Sequence, residues 1–177
     1  WSLFTIFGFC IFCVGLIIPH LVPFARDTGL SPMSAASLLT IMGLCSIVGR
    51  LTAGFFSDRI GANRVLFSGL LLQGIMILWL SQMSSLKMFY LFAALFGVAY
   101  GGNLVMVPRL TATIFGVKSM GAIFGGLSVA DGIGFALGPL LAGYLFDISG
   151  TYNDAFLITA AGIFIAVGVT FFLRKKG

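Results

Sequence analysis

The sequence predicts an all-α membrane protein with six transmembrane helices. Hydrophobic residues make up 59% of the chain and charged residues only 8%, whereas soluble domains carry about 25% charged residues. Such a chain cannot cover a water-facing surface. Apolar runs close to the ~20 residues that a bilayer requires recur along its whole length. These runs are too long for the strands of a β-barrel, and they do not alternate in polarity.

Six apolar runs predict the helices in order. The predicted spans are residues 1–22, 34–56, 65–83, 88–107, 120–146 and 155–173. Turn formers or charges that would be costly in hydrocarbon separate the spans at residues 23–32, 57–64, 84–85, 108–118 and 147–154. We therefore expect one six-helix domain over residues 1–177. The chain starts in an apolar run at Trp1, without the charged segment and cleavage site of a signal peptide, which suggests a fragment.

The distribution of basic residues predicts the orientation. If Trp1 begins in the cytoplasm, the inner connections and the C-terminus hold seven basic residues: Arg59, Arg64, Arg109, Lys118, Arg174, Lys175 and Lys176. The outer connections then hold only Arg26 and Lys87. This positive-inside bias places both ends of the chain in the cytoplasm and the protein in the plasma or bacterial inner membrane. The net charge of +5 thus reflects topology, and we expect no nucleic-acid partner.

Arg50 and Asp131 are the two charged residues well inside the predicted spans. A charge at the centre of a membrane helix costs roughly 2.5–3.5 kcal/mol on insertion scales, so buried charges tend to pair or to face a wet cavity. Counted from the inner span ends, Arg50 lies about 9 Å deep and Asp131 about 16 Å deep. Tyr100 and Asn103, one turn apart in the fourth span, add polar groups. The alternative is simple hydrogen bonding between helices.

Metal, redox and enzyme chemistry have little support. Cys10 and Cys13 form a CxxC pair, but His20 lies about 10 Å further along the same helix. A lone pair of this kind is weak support for a site, so we expect apolar packing, no metal and no cofactor. Ser128 lies deep in the fifth span, far from His20 near an outer end, which argues against a serine hydrolase.

Small residues at i and i+4 predict close helix packing. The pairs are Gly97 and Gly101, Gly121 and Gly125, and Gly134 and Gly138. In lipid, such pairs allow helix backbones to approach closely.

A charged pattern lies between the second and third spans. It contains Gly54, Asp58, Arg59, Gly61 and Arg64. By itself this is a short turn whose charges fix the topology. The pattern Gly-x-x-x-Asp-Arg-x-Gly-x-x-Arg also resembles the loop motif of the major facilitator superfamily, although residues 62–63 depart from its usual basic pair.

The resemblance extends along all 177 residues, to the C-terminal six-helix half of transporters in the monocarboxylate and oxalate/formate branch. The stretches that carry it are residues 19–23, 49–51, 96–102 and 138–147. It implies helices seven to twelve of a twelve-helix transporter, built as two inverted three-helix repeats. It also implies a missing partner, the N-terminal half of the same transporter.

In that branch, the arginine matching Arg50 is implicated in binding the substrate carboxylate, and a guanidinium suits a carboxylate geometrically. Many monocarboxylate transporters have an acid where this chain has Ser46. The oxalate/formate exchangers have a lysine near the position of Asp131, so an acid there disfavours a dicarboxylate. We expect secondary transport of a small organic anion, with Arg50, Tyr100 and Asn103 at the substrate and Asp131 carrying a proton. The alternative is a six-helix channel or a non-transporting scaffold, although no filter sequence is visible.

Overall fold

Six long helices form the computed structural model, which describes residues 1–173. They are α1 (Ser2–Asp27), α2 (Pro32–Ile60), α3 (Ala62–Leu80), α4 (Leu86–Phe115), α5 (Met120–Ser149) and α6 (Asn153–Leu173), with one 3-10 turn at Val117–Ser119. The described part contains no strand. Each helix is long and apolar enough to cross a membrane. The predicted fold class is confirmed, and the protein is a multi-pass membrane protein.

Most of the helices extend beyond the predicted spans. The chain predicted as a connection after the fourth span continues α4 through Pro108 to Phe115. Between α2 and α3, the predicted eight-residue turn is reduced to Gly61, whose φ is +89°. A helix needs apolar side chains only inside the hydrocarbon, so hydropathy does not detect its polar outer turns. Arg174, Lys175 and Lys176, predicted to be cytoplasmic, lie outside the described residues.

The two ends of the bundle differ in charge. We call the end that holds the α2–α3 turn the basic end; its described basic residues are Arg59, Arg64, Arg109 and Lys118. We call the opposite end the acidic end; its carboxylates are Asp27, Asp147 and Asp154. The turn between α1 and α2 and the turn between α5 and α6 both lie at the acidic end.

The centre of the bundle is filled by large side chains, mainly from α4. Phe89, Phe92 and Phe96 of α4 are fully buried, and so is Phe156 of α6. Because α4 packs against both α2 and α3, it lies at the middle of the fold. This core fixes the helices that carry the polar residues.

Glycines bring two pairs of helices into very close contact. A Cβ on Gly101 would overlap the Ser46 carbonyl of α2, and a Cβ on Gly138 would lie 2.7 Å from the Leu16 nitrogen of α1. The predicted packing is thus confirmed for Gly97 with Gly101 and for Gly134 with Gly138. Gly121 and Gly125 have nothing within 4 Å of an added Cβ, so the described chain does not pack against them.

α5 packs against the rest of the bundle along only one stripe of its surface. Its buried residues are Leu127, Ala130, Gly134, Gly138 and Ala142, and the two glycines of this stripe contact α1. The opposite face is exposed, with Val129 and Leu140 at 60% and 68% of full accessibility. α5 therefore carries a broad face with no partner in the described part of the chain.

Candidate functional site

Tyr100 and Asp131 share a cavity of about 510 Å³ between α1, α4 and α5. Both side chains are half-buried. The remaining wall is apolar: Phe7, Ile11, Val14, Leu104, Phe124, Gly132 and Phe135. A few polar groups in an otherwise apolar cavity are typical of a site for a small molecule.

Arg50 lies on α2, exposed and outside the wall of this cavity. The structure does not pair it with Asp131, because the only ion pair within residues 1–173 joins Asp58 and Arg109. The charges of Arg50 and Asp131 both act on the Tyr100 hydroxyl, however. Tyr100 is thus the cavity residue on which both predicted charges act.

Arg50 lies further from the end of its helix than the sequence predicts. It is ten residues before the end of α2 at Ile60, about 15 Å along the helix, because α2 continues four residues past its predicted span. Asp131 is eleven residues after the start of α5 at Met120, about 16 Å along that helix. Both residues are therefore several turns away from the helix ends at the basic end.

Asn103, the third predicted substrate residue, takes part in a buried network. Its Nδ2 donates to Oε1 of Gln73 at 2.8 Å, and Nε2 of Gln73 points to the Cys13 sulfur at 3.3 Å. The Asn103 side chain is only 4% exposed and its Oδ1 has no partner, lying against Gly69. The network joins α1, α3 and α4. The structure does not bring Asn103 to Arg50.

Gln73 was missed by the sequence reasoning. It is a polar residue in the middle of the third span, and the rule that singled out Asn103 applies equally to it. The other buried polar residues are serines and threonines, and they donate to carbonyls of their own helices. Gln73 and Asn103 are therefore the buried amides that link helices in residues 1–173.

The charged pattern at the basic end is mostly helical. Asp58, in the last turn of α2, accepts a 2.5 Å bond from Nη2 of Arg109 in α4. Arg59 stacks over the Phe55 ring at 4.2 Å. An added Cβ on Gly54 would meet nothing within 4 Å, so this glycine faces away from the described chain. The motif thus ties α2 to α4 and leaves an open glycine one turn earlier.

The acidic end holds an aromatic cluster around Tyr152. His20 lies 5.3 Å from the Tyr152 ring, and its Nε2 lies 3.3 Å from the Pro139 carbonyl oxygen of α5. Burial raises the pKa of Tyr152, and the carboxylates of Asp27 and Asp147 raise this pKa further. The Tyr152 hydroxyl is therefore held in its neutral form at this end of the bundle.

Residues 1–173 contain no group of three or more His, Cys, Asp or Glu side chains placed to hold a metal ion. Cys10 and Cys13 are buried with free thiols, and Cys13 accepts the bond from Gln73. His20, which the sequence analysis considered as a possible ligand beside these cysteines, contacts α5 at the acidic end.

Six helices that can cross a membrane and a half-buried acid in an apolar cavity fit the architecture of a membrane transporter. The family model of the Major Facilitator Superfamily matches residues 2–177. The chain belongs to this superfamily.

Several relatives carry the name of one transporter class. The chain is 32% identical over 143 residues to monocarboxylate transporter 12 of Rattus norvegicus, covering 78% of the chain and 29% of that protein. It is 31% identical over 170 residues to monocarboxylate transporter 13 of Bos taurus, covering 88% and 37%. The MFS transporter asaE of Aspergillus flavus is 27% identical over 177 residues, covering 97% and 39%.

A solved structure shares the fold. It is a mutant of the peptide transporter POT in complex with alafosfalin, with a TM-score of 0.86 over 99% of this chain and 38% of that chain. At 22% identity, this similarity concerns the fold alone. The chain spans between about a quarter and two fifths of the length of the relatives described here.

Proposed function

We propose that this chain forms one half of a secondary transporter that moves a small monocarboxylate together with a proton by alternating access. The observation that supports this most is the arrangement of Arg50, Tyr100 and Asp131. Asp131 and Tyr100 line one apolar cavity, and the charge of Arg50, which has no ion-pair partner in residues 1–173, acts on the same tyrosine. Charges inside membrane-spanning helices are commonly part of a substrate or proton path.

Arg50 binds the carboxylate in this proposal. Its guanidinium presents parallel N–H groups that match the two oxygens of a carboxylate, and such charge-assisted pairs are the stronger hydrogen bonds. Because Arg50 has no ion-pair partner in residues 1–173, its donors are free to bind an anion. The Tyr100 hydroxyl supplies a further donor inside the cavity, and the apolar walls of the cavity suit a short hydrocarbon substituent.

Asp131 takes the proton in this proposal. With Asp131 ionised and no substrate, Arg50 and Asp131 are neutral together. A bound monocarboxylate adds a negative charge, and a proton on Asp131 restores neutrality. Moving net charge through the low-dielectric membrane is costly, so the loaded carrier crosses its barrier more easily with the proton bound.

The remaining part of the transporter is proposed to cover the open faces of α2 and α5, with the site between the two halves. We place the basic end in the cytoplasm because of the positive-inside rule, and the protein in the plasma or inner membrane. The chain's relatives are much longer than the chain itself, which supports a second half.

Uptake of labelled lactate and pyruvate tests this proposal. The complete open reading frame that contains these residues is expressed in cells without endogenous carriers, and uptake is measured at external pH 6 and pH 8. We expect saturable uptake that is faster at acidic pH. Arg50→Gln should abolish it, and Arg50→Lys should weaken it by at least about tenfold through loss of the bidentate geometry.

Asp131→Asn separates binding from proton coupling. We expect this variant to exchange substrate across the membrane but to lose accumulation driven by a pH gradient. Arg26→Gln, which removes a cation at the acidic end, is the matched control and should transport normally. If Asp131→Asn still accumulates substrate in response to a pH gradient, the proposed proton coupling is wrong. Ion conductance that does not saturate with substrate concentration would indicate a channel.

A further inference from the structure

The second helix of each repeat ends in the same pattern, a glycine, an aspartate four residues later, and a second glycine three residues after that. The residues are Gly54, Asp58 and Gly61 in α2, and Gly143, Asp147 and Gly150 in α5. The last glycine of each set has a positive φ, +89° at Gly61 and +69° at Gly150. Each helix therefore ends at a glycine with positive φ, although ψ differs, 144° at Gly61 and 6° at Gly150.

The glycine crossings show which residues of α1 and α4 correspond. A Cβ on Gly101 of α4 would meet the Ser46 backbone of α2, and a Cβ on Gly15 of α1 would meet the Phe135 backbone of α5. Asp58 follows Ser46 by twelve residues, and Asp147 follows Phe135 by the same number. The two crossings thus set one register for both repeats.

In this register, the residue opposite Asp147 is Pro23. Arg109 follows Gly101 by eight residues, and Pro23 follows Gly15 by eight. Arg109 donates to Asp58, whereas proline has neither a side-chain donor nor a backbone N–H. Asp147 is exposed and takes part in no ion pair within residues 1–173. The acidic end therefore lacks the tie that closes the basic end.

Asp147 occupies an electrostatically unfavourable position. It lies in the last turn of α5, where the helix macrodipole disfavours a carboxylate. Arg26 and Lys87 also lie at this end, but neither forms an ion pair with Asp147. A cation brought next to Asp147 would relieve the unfavourable interaction with the helix dipole.

Open space lies beside Asp147. An added Cβ on Gly143, one turn earlier, would meet nothing within 4 Å, and the same is true of Gly132 further along α5. Small residues on an exposed face let a second helix approach closely. A covering helix packed over Gly143 would bring its side chains next to Asp147.

We propose that Asp147 accepts an arginine or lysine from the transporter segment that covers α5, and that this ion pair closes the acidic end. The inference rests on the two-half transporter proposed above. At the basic end, the corresponding aspartate, Asp58, is already paired with Arg109 of this chain. The chain supplies both aspartates, but it supplies a basic partner for only one of them.

Thiol accessibility in the complete open reading frame tests this inference without reference to substrate. A cysteine introduced at Leu140, on the exposed face of α5, reports opening of the acidic end through its labelling rate by a membrane-impermeant maleimide. Asp147→Asn should raise this rate several-fold. Asp147→Glu should keep the wild-type rate, and Asp154→Asn, which removes a nearby carboxylate, should also leave it unchanged.

Charge reversal identifies the partner. Asp147→Arg should open the acidic end further, and reversing one lysine or arginine of the covering segment to aspartate should restore slow labelling. Equal labelling in wild type and Asp147→Asn would overturn the inference, and so would rescue by Arg26→Asp, which lies within this chain. If labelling depends on Asp147 but wild type takes up no monocarboxylate, the proposed function fails and the ion pair stands.

Discussion

At the crossing of α2 and α4, Gly49 and Gly101 bring each backbone against the other, and the Asp58–Arg109 ion pair ties the helices at the basic end. At the crossing of α1 and α5, Gly15 and Gly138 bring the backbones equally close. There the contact at the acidic end is between His20 and a backbone carbonyl. Both crossings are therefore closely packed at glycines in their middle. They differ in the side-chain contact that links the two helices near the end of the bundle.

The two crossings also differ in how deeply their helices are buried, because α4 is a central helix of the bundle and α5 a peripheral one. α4 is buried on several sides and carries much of the aromatic core, whereas α5 is buried along a single stripe of five residues. Asp131 lies on α5, and Arg50 lies on the open side of α2. The helix with the proposed proton site is thus the one with fewer contacts to hold it in place.

The largest expected effect compares the two crossings directly. Gly101→Ala places a methyl group into the Ser46 backbone and Gly15→Ala into that of Phe135. Overpacking typically costs about 1–3 kcal/mol, and we expect Gly101→Ala to be the more destabilising because α5 can shift away from α1. Thermal unfolding of the purified transporter in detergent measures both variants.

Gly168→Ala is the matched control, because nothing lies within 4 Å of its added Cβ and the second half is not proposed to cover α6. It should leave the unfolding temperature unchanged or raise it, since alanine favours helix more than glycine. A loss of stability in Gly15→Ala as large as that in Gly101→Ala would show that α5 is as firmly held as α4.

A medium effect is expected at the network that joins the two crossings through α3. Gln73→Leu leaves the Asn103 amide without its partner, and we expect a loss of about 1–2 kcal/mol. The double variant with Asn103→Leu should cost less than the sum of the two single variants, because neither amide is then left alone. A double-mutant cycle on unfolding free energies measures the coupling, and strict additivity would contradict the hydrogen bond.

The smallest effect is expected for the two side-chain contacts near the ends of the bundle, the Asp58–Arg109 ion pair and the contact of His20 with the Pro139 carbonyl. Arg109 and Asp58 are 40% and 68% exposed, and exposed ion pairs contribute about 0–1 kcal/mol. Arg109→Gln should therefore lower stability slightly, and added salt should remove the difference from wild type. His20→Gln should cost a similar amount that does not respond to salt. Unfolding temperatures at two ionic strengths distinguish the two ties.

The fold class was predictable because six apolar runs can satisfy their backbone hydrogen bonds in lipid only as helices. Helix ends were not, since residues 109–115, which include an arginine and two threonines, look like a connection in a hydropathy pattern. The same limit applies to α2, which ends at Ile60 and not at Phe56, so Arg50 lies one turn further from the end of its helix than predicted.

The site was predictable in its residue types and only partly in its arrangement. A charge in a membrane span is visible from sequence, which singled out Arg50 and Asp131. Which way Asn103 points depends on the rotation of three helices, and that is set by packing at glycines such as Gly69. The same limit applies to Gly121 and Gly125, whose spacing matches that of packed pairs although nothing in the described chain covers them.

Gly61 is the only residue between α2 and α3, and one residue spans at most about 3.5 Å. The joined ends of α2 and α3 therefore lie at one level of the bilayer, and the two helices form a tight hairpin. We expect this hairpin to enter the membrane as one unit. The insertion cost of Arg50 then falls on the pair, and residues 65–80 of α3 carry no charge to add to it. The one-residue turn at Gly61 thus lowers the cost of inserting Arg50 into the membrane.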